Sequence, residues 1–283
     1  MASVRLIQAT TLEEALAIRA ETGARPVAGA TEIYVARAAS DMIGLDLSGV
    51  AGLRGASRDG EGWRIGAMTT WSDIADADLP PQFDGLRAAA AGIASAPIRN
   101  QGTLGGNICA ARADGDGAPC LLALDAEIEL QSAAGARRAP ASAFILGECS
   151  VDCRDDEIVS AIIVAARPGA RSGFRKLFIP GLDRPPLVSV SAMLAPAPTG
   201  RILRARVAVG GCSPIAMRLA TLEAALTGEP LSSTLARHVA DVHLQHLTPP
   251  EDGLASAAYR REAAKQALRE MFAAMTGAEA DAA

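Results

Sequence analysis

Apolar and polar positions fall into a helical rhythm almost at once. Leu12, Ala15 and Leu16 share a face with Arg19, behind Thr11 and with Glu13 and Glu14 in the first turn. A Thr cap and two acids at the positive end of a helix predict a helix that starts at Thr11 and stops at Gly23. Ile33-Tyr34-Val35-Ala36-Arg37 reads as the start of another helix, and Leu45-Asp46-Leu47 as a short strand. Residues 63–69 alternate as a strand, and Thr70 and Ser72 offer caps for a helix through Ile74. An Ala-rich stretch, residues 86–94, predicts a helix running towards Pro97; residues 119–124 predict a short helix or turn, and residues 127–131 a strand.

Past Arg167 the rhythm changes. Residues 173–177, 187–194 and 202–210 follow one another as strand-like runs separated by Gly and Pro, which predicts an antiparallel sheet. Residues 219–226, 235–247 and 256–275 then show helical spacing, with Gly228 and Pro249-Pro250 as separators and a frayed acidic tail. No internal repeat or low-complexity linker divides the chain, so the expected boundary near residue 167 rests on the switch from mixed α/β order to strands followed by helices.

The 283 residues, 49% hydrophobic, suffice for two domains or for one domain with a distinct C-terminal lobe. A net charge of −5 with scattered arginines gives no basic stripe, so nucleic acid and anionic membranes are not expected partners. The longest apolar run, residues 158–166, is far short of the ~20 residues that span a bilayer, and the N-terminus lacks a secretory pattern; no membrane insertion and a cytoplasmic location are expected. Cys109, Cys120, Cys149, Cys153 and Cys212 form no Cys-x-x-Cys pair and no ferredoxin spacing, so free, mostly buried thiols are expected and no cluster or zinc site. His243 and His246 lie three apart, with His238 nearby, but without the Cys or carboxylate pattern that zinc requires. Asp114 and Asp116 flank Gly115 without a nearby His, which reads as a solvated turn; no metal is assigned.

Candidate chemistry concentrates in two small-residue turns. Residues 99–107 read Arg-Asn-Gln-Gly-Thr-Leu-Gly-Gly-Asn, and residues 26–33 read Pro-Val-Ala-Gly-Ala-Thr-Glu-Ile. Glycines able to take positive φ let an anion approach the main chain, and Thr103 and Asn107 add side-chain hydrogen bonds. Each alone reads equally well as a tight turn beside a strand. There is no Gly-x-Gly-x-x-Gly after the first strand and no Gly-Lys-Ser, so a dinucleotide bound here uses neither a Rossmann nor a P-loop frame.

The pair of turns, with Asp116 a few residues on, resembles the FAD-binding subunit of the molybdenum hydroxylases, the family of xanthine, carbon monoxide, nicotine and aldehyde dehydrogenases. Arg64-Ile65-Gly66-Ala67 with Thr69, Asp156-Glu157-Ile158-Val159, Phe174-Arg175-Lys176 and Leu187-Val188-Ser189-Val190 follow in the family's order over nearly the whole chain. The resemblance implies an α+β fold class: a two-lobed FAD-binding domain of the PCMH / vanillyl-alcohol-oxidase-like type over residues 1–166, subdivided near residue 52. A C-terminal domain, residues 167–283, follows as an antiparallel sheet with helices.

It further implies that Val27, Ala28, Gly29, Ala30, Thr31, Glu32 and Ile33, together with Thr103, Gly105, Gly106 and Asn107, line the pyrophosphate and flavin of FAD. Asp116 would hold a polar part of the nucleotide, Val159 offer a backbone contact and Lys176 lie at the isoalloxazine end, where a cation favours the charge gained on reduction. Out of this context Lys176 reads as a surface lysine on a strand, and Glu32 as a helix cap. The chain departs from the family at Ala30, where a second glycine is usual, and at Ile93 and Ala94, where some members carry an aromatic.

The function implied is that of an electron-transfer subunit of an oxidoreductase, with no catalytic residue of its own. A [2Fe–2S] small subunit would deliver electrons from a molybdenum-cofactor large subunit, and NAD⁺ or another acceptor would receive them, in a dimer of heterotrimers. The alternatives are a stand-alone flavin oxidoreductase, which needs a base and pocket not identifiable here, and a flavin-free scaffold subunit, which Ala30 could favour.

Overall fold

The computed structural model describes residues 4–32, 42–179 and 186–277, arranged as two compact bodies. The first comprises residues up to 77, residues 93–110 and residues 126–166; the second comprises residues 78–92, 111–125 and 167 onwards. Residues 78–92 and 111–125 therefore leave their sequence neighbours to join the body built by the last third of the chain.

In the first body, β1 (Val4–Gln8), β2 (Arg25–Val27) and β3 (Met42–Asp46) form a parallel sheet in the order β1-β3-β2. The intervening helix α1 (Leu12–Thr22) has the predicted ends: Thr11 Oγ1 accepts from Glu14 N at 3.1 Å, and Gly23 takes φ 65°. Ala15 and Leu16 of this helix join Leu45, Leu47, Val50, Leu53, Met68 and Ile158 in one buried cluster. Burial of each larger side chain contributes about 1.5–3 kcal/mol.

A five-stranded antiparallel sheet follows, ordered β4 (Ala56–Asp59), β5 (Gly62–Gly66), β10 (Ile158–Ala165), β6 (Glu127–Ser132) and β7 (Gly135–Pro140). The run 158–164 is buried without alternation because β10 is the central strand. Helix α2 (Trp71–Asp76) opens on a capping box between Thr70 and Asp73. Helices α4 (Ala96–Gln101), α5 (Leu104–Ala110) and α7 (Ala141–Phe144) and a hairpin of β8 (Ile145–Gly147) and β9 (Ser150–Val151) complete the body.

The second body holds the predicted antiparallel sheet, ordered β11 (Arg171–Leu177), β12 (Val188–Pro196), β13 (Ile202–Gly210) and β14 (Met217–Arg218). Val188, Val190, Val207 and Val209 pack with Leu222 and Leu226 of α8 (Ala220–Leu226) and Leu268 and Phe272 of α9 (Ala257–Met275). Helices α3 (Asp84–Gly92) and α6 (Gly117–Ala123) also belong here. At Gly85 a Cβ would lie 2.7 Å from the Gly173 oxygen, so α3 approaches β11 at a distance only glycine permits.

Two expectations change. The helix expected over residues 86–94 ends at Gly92. The helix expected over residues 235–247 is instead two 3₁₀ turns, Ser233–His238 and Asp241–His243. Leu235, Val239, Leu244 and Leu247 are still buried, but through tight turns in which Leu244 N bonds Asp241 O and Leu247 N bonds Leu244 O. His, Val and Asp in this stretch have poor helix propensity, and burial of four apolar anchors decides the path.

Candidate cofactor site

The two small-residue turns meet. A Cβ on Gly29 would lie 1.7 Å from the main-chain oxygen of Gln101, and one on Gly106 would lie 3.7 Å from the Ala28 Cβ. The main-chain amides of Gly29, Ala30 and Thr31 donate no hydrogen bond among the described residues. A half-buried run of uncommitted amides is an anion cradle. Glu32 is exposed at the end of this segment; Ile33 and the helix expected to start with it lie outside the described residues.

The glycines achieve this differently from expectation. Gly29, Gly102, Gly105 and Gly106 are not in the positive-φ region; close approach is what requires them. The left-handed residue is Ala30, at φ 57°, so the alanine occupies the conformation that a second glycine would take. The second turn is also not an open loop. Residues 96–101 and 104–110 are helical, broken at Gly102 and Thr103, and Gly106 N donates to Thr103 Oγ1 at 3.0 Å as the capping bond of α5. Asn107 N bonds Thr103 O one turn on.

Ser160, the residue after Val159, is tied to the same place by hydrogen bonds. The ladder between β10 and β6 shifts register between Val159 and Ala161, a bulge at Ser160. Ser160 O accepts from Ala67 N at 2.9 Å, and Ala67 O accepts from Gly105 N at 2.9 Å, so two bonds connect the bulge to the first turn of α5. A Cβ on Gly105 would lie 2.7 Å from Ala67, which fixes glycine there.

Asp116 and Lys176 belong to the second body. Lys176 is no surface lysine: its side chain is 11% exposed and its Nζ lies 2.6 Å from Asp116 Oδ2. The other carboxylate oxygen, Oδ1, is buried with no hydrogen-bond partner among the described residues. Burial pushes the Asp116 carboxyl above the ordinary range, against the pull of Lys176 and with a smaller push from Asp114. Asp114 pairs separately with Arg112 at 2.9 Å, so the two carboxylates do not share one site.

Residues 2–166 match the family model described as FAD binding domain in molybdopterin dehydrogenase. The chain belongs to this family. Residues 187–275 match the CO dehydrogenase flavoprotein C-terminal domain. As a member, the chain is an FAD-binding oxidoreductase subunit of the xanthine and carbon monoxide dehydrogenase type. It is 30% identical to the nicotine 6-hydroxylase medium subunit of Paenarthrobacter nicotinovorans, over 84% of this chain and 83% of that one. It is 29% identical to the glyceraldehyde dehydrogenase medium chain of Sulfolobus acidocaldarius, over 94% and 96%. In fold it is similar to the reconstituted CO dehydrogenase from Oligotropha carboxidovorans, with a TM-score of 0.85, 23% identity and coverage of 95% and 96%.

The residues present fit FAD. Uncommitted amides and a close backbone approach suit a pyrophosphate, and the orphaned Asp116 Oδ1 is an acceptor awaiting a hydroxyl or N–H donor. Three neighbours of the candidate residues escaped sequence reading: the carbonyls of Gln101 and Ala67, which carry no residue-type signal, and Phe178, whose ring centroid lies 5.1 Å from Lys176 Nζ. Phe178 stands two positions after Lys176, the same-face spacing of an extended chain, and that signal was available.

The remaining candidates have separate roles. Among the described residues no group of three or more His, Cys, Asp or Glu could hold a metal, and no helix is long and apolar enough to cross a membrane. His243 Nδ1 accepts from Ala240 N at 3.2 Å, His246 Nε2 lies 3.3 Å from Arg218 O, and His238 lies 3.8 Å from Glu229. All five thiols are free but only Cys120 and Cys212 are buried; Cys109 and Cys149 are exposed, the latter in the tight turn between β8 and β9 at φ 55°. Burial pushes the Cys212 thiol up to about 12.

Proposed function

We propose that this chain carries FAD as the electron-transfer subunit of a molybdenum hydroxylase complex. In this reading residues 1–166 make the FAD-binding domain, subdivided near residue 52, and residues 167–283 the C-terminal domain. FAD, when bound, supplies the two-electron chemistry. The amides of Gly29, Ala30 and Thr31 neutralise the pyrophosphate, with Val27, Ala28 and Glu32 framing that turn and Thr103, Gly105, Gly106 and Asn107 closing the other side. Asp116 accepts a hydrogen bond through Oδ1, and the Val159 main chain adds one contact. Lys176, held by Asp116, places a buried positive charge where it favours the reduced cofactor.

The observation that carries this reading is the meeting of Gly29 with Gln101 beside three uncommitted amides. The relatives are named medium subunits or chains, which supports a larger and a smaller partner subunit; in this reading the large one holds the molybdenum cofactor and the small one [2Fe–2S] clusters, in a dimer of heterotrimers in the cytoplasm. Electrons then enter from the small subunit and leave to NAD⁺ or another acceptor. Co-purification of the tagged chain from its native cells tests this: molybdenum, iron and FAD in one complex, with the flavin bleaching on reduction of the clusters, is the expected result. A chain that purifies with FAD but oxidises a small molecule unaided, without partners, would replace it with a stand-alone flavin enzyme.

A further inference from the structure

Four arginines of the second body close on one aspartate. Asp125 follows α6 in the left-handed region, at φ 50°. Its carboxylate meets Arg206 at 2.7 Å, Arg218 at 3.0 Å, Arg204 at 3.1 Å and Arg167 at 3.5 Å. A second acid, Glu223, accepts from Arg218 Nε at 2.8 Å and from Val207 N at 3.0 Å, and lies 3.6 Å from Arg206.

Among the described residues the cluster therefore sets four guanidinium cations against two carboxylates, an excess of two positive charges. Guanidinium cannot shed its proton in a protein, so the excess is permanent. At Arg167 the Nε is buried without a hydrogen-bond partner among the described residues. Burial, and then the charges of Arg204 and Arg206, hold Arg167 below the ordinary arginine range. Arg204, by contrast, has a 42% exposed side chain, so the cluster opens to solvent there. An ion-pair network built for stability alone would not leave two charges unmatched.

We propose that Arg167, Arg204 and Arg206 form an oxyanion site that takes a phosphate group, either free or as the terminal phosphate of a nucleotide. A phosphate dianion matches the two-charge excess, which a carboxylate would only halve, and the planar forks of arginine suit its oxygens. The site is separate from the proposed FAD ligands of this body. Asp116 precedes the seven-residue α6 and Asp125 follows it, so the helix, roughly 10 Å long, stands between them.

Phosphate titration of the full chain in excess FAD, at an ionic strength fixed with chloride, tests the proposal by calorimetry and by the thermal midpoint, with ADP as a second arm. Excess FAD keeps the pyrophosphate cradle filled. The expected result is saturable binding and a rising midpoint, with affinity lowered on the order of tenfold in Arg204→Gln, since a charge-assisted hydrogen bond is lost. Arg204→Gln removes an exposed side chain and keeps the fold, which circular dichroism checks; Arg167→Gln gives an independent second variant. ADP that competes with phosphate and shows the same Arg204 dependence identifies a nucleotide as the source; ADP that does not compete identifies free phosphate. A midpoint that responds to phosphate no more than to chloride, or phosphate binding unchanged in both variants, would overturn the site.

Discussion

Gly29 and Gln101 approach so closely that a Cβ on the glycine would lie 1.7 Å from the Gln101 oxygen. Backbone, not a flexible side chain, is on the other side, so nothing local can yield. Gly29→Ala is expected to cost about 2–3 kcal/mol in chemical denaturation and to abolish FAD retention, because the two turns must separate. Gly106→Ala, whose Cβ would meet the Thr103 hydroxyl at 3.0 Å, should do less harm. Normal FAD content in Gly29→Ala would show that the meeting of the turns is irrelevant to the cofactor.

Ala30 holds a left-handed conformation at φ 57°. An alanine there costs roughly 1–2 kcal/mol, part of which glycine returns as unfolded-state entropy. Ala30→Gly should therefore stabilise the chain by about 0.5–1 kcal/mol, read as a higher midpoint in urea, and leave FAD binding intact. Destabilisation by a similar amount would mean that the methyl group packs usefully.

Lys176 acts by charge in this account. With FAD bound, Lys176→Met should lower the two-electron midpoint potential by about 30–60 mV, the equivalent of roughly 1.4–3 kcal/mol of lost attraction, while Lys176→Arg keeps most of it. Potentiometric titration reads both. An unchanged potential in Lys176→Met would place the lysine away from the flavin ring.

Two carboxylates shape the acid limb in opposite directions. Hydrogen bonds from Arg137, at 2.6 and 2.8 Å, hold Glu157 below the ordinary range, so its stabilisation is present above the unfolded-state value of about 4.3 and is lost as pH falls through the depressed folded value. Glu157→Gln should cost about 2–3 kcal/mol at neutral pH and flatten the stability profile below pH ~4.5. Asp116 is raised by burial, so without cofactor it weakens the fold as pH rises from the ordinary aspartate value through its folded one. Asp116→Asn should remove that dependence; urea midpoints measured across pH 3–8 check both.

The sequence made local features legible where chemistry and geometry coincide in a few residues. Thr11, Glu14 and Gly23 define the ends of α1 through bonds within the segment itself. The strands β11 to β13 were readable from apolar runs between Gly and Pro. What escaped was set by partners distant in sequence. The stretch 235–247 has helical spacing yet turns tightly, because Leu235, Val239, Leu244 and Leu247 follow the surface offered by β13, α8 and α9. The glycines of the cofactor turns were readable as small, but their reason lay in the Gln101 and Ala67 carbonyls rather than in positive φ. Likewise the burial of Lys176 depends on Asp116, sixty positions away in sequence.

The most direct test of the account is the flavin content of the purified chain: the cofactor released by denaturation, identified by chromatography and counted against protein. The account requires close to one FAD per chain after reconstitution, with Gly29→Ala near zero under the same conditions. A correctly folded wild-type chain that takes up no FAD, or one that binds it equally well without Gly29, would contradict it.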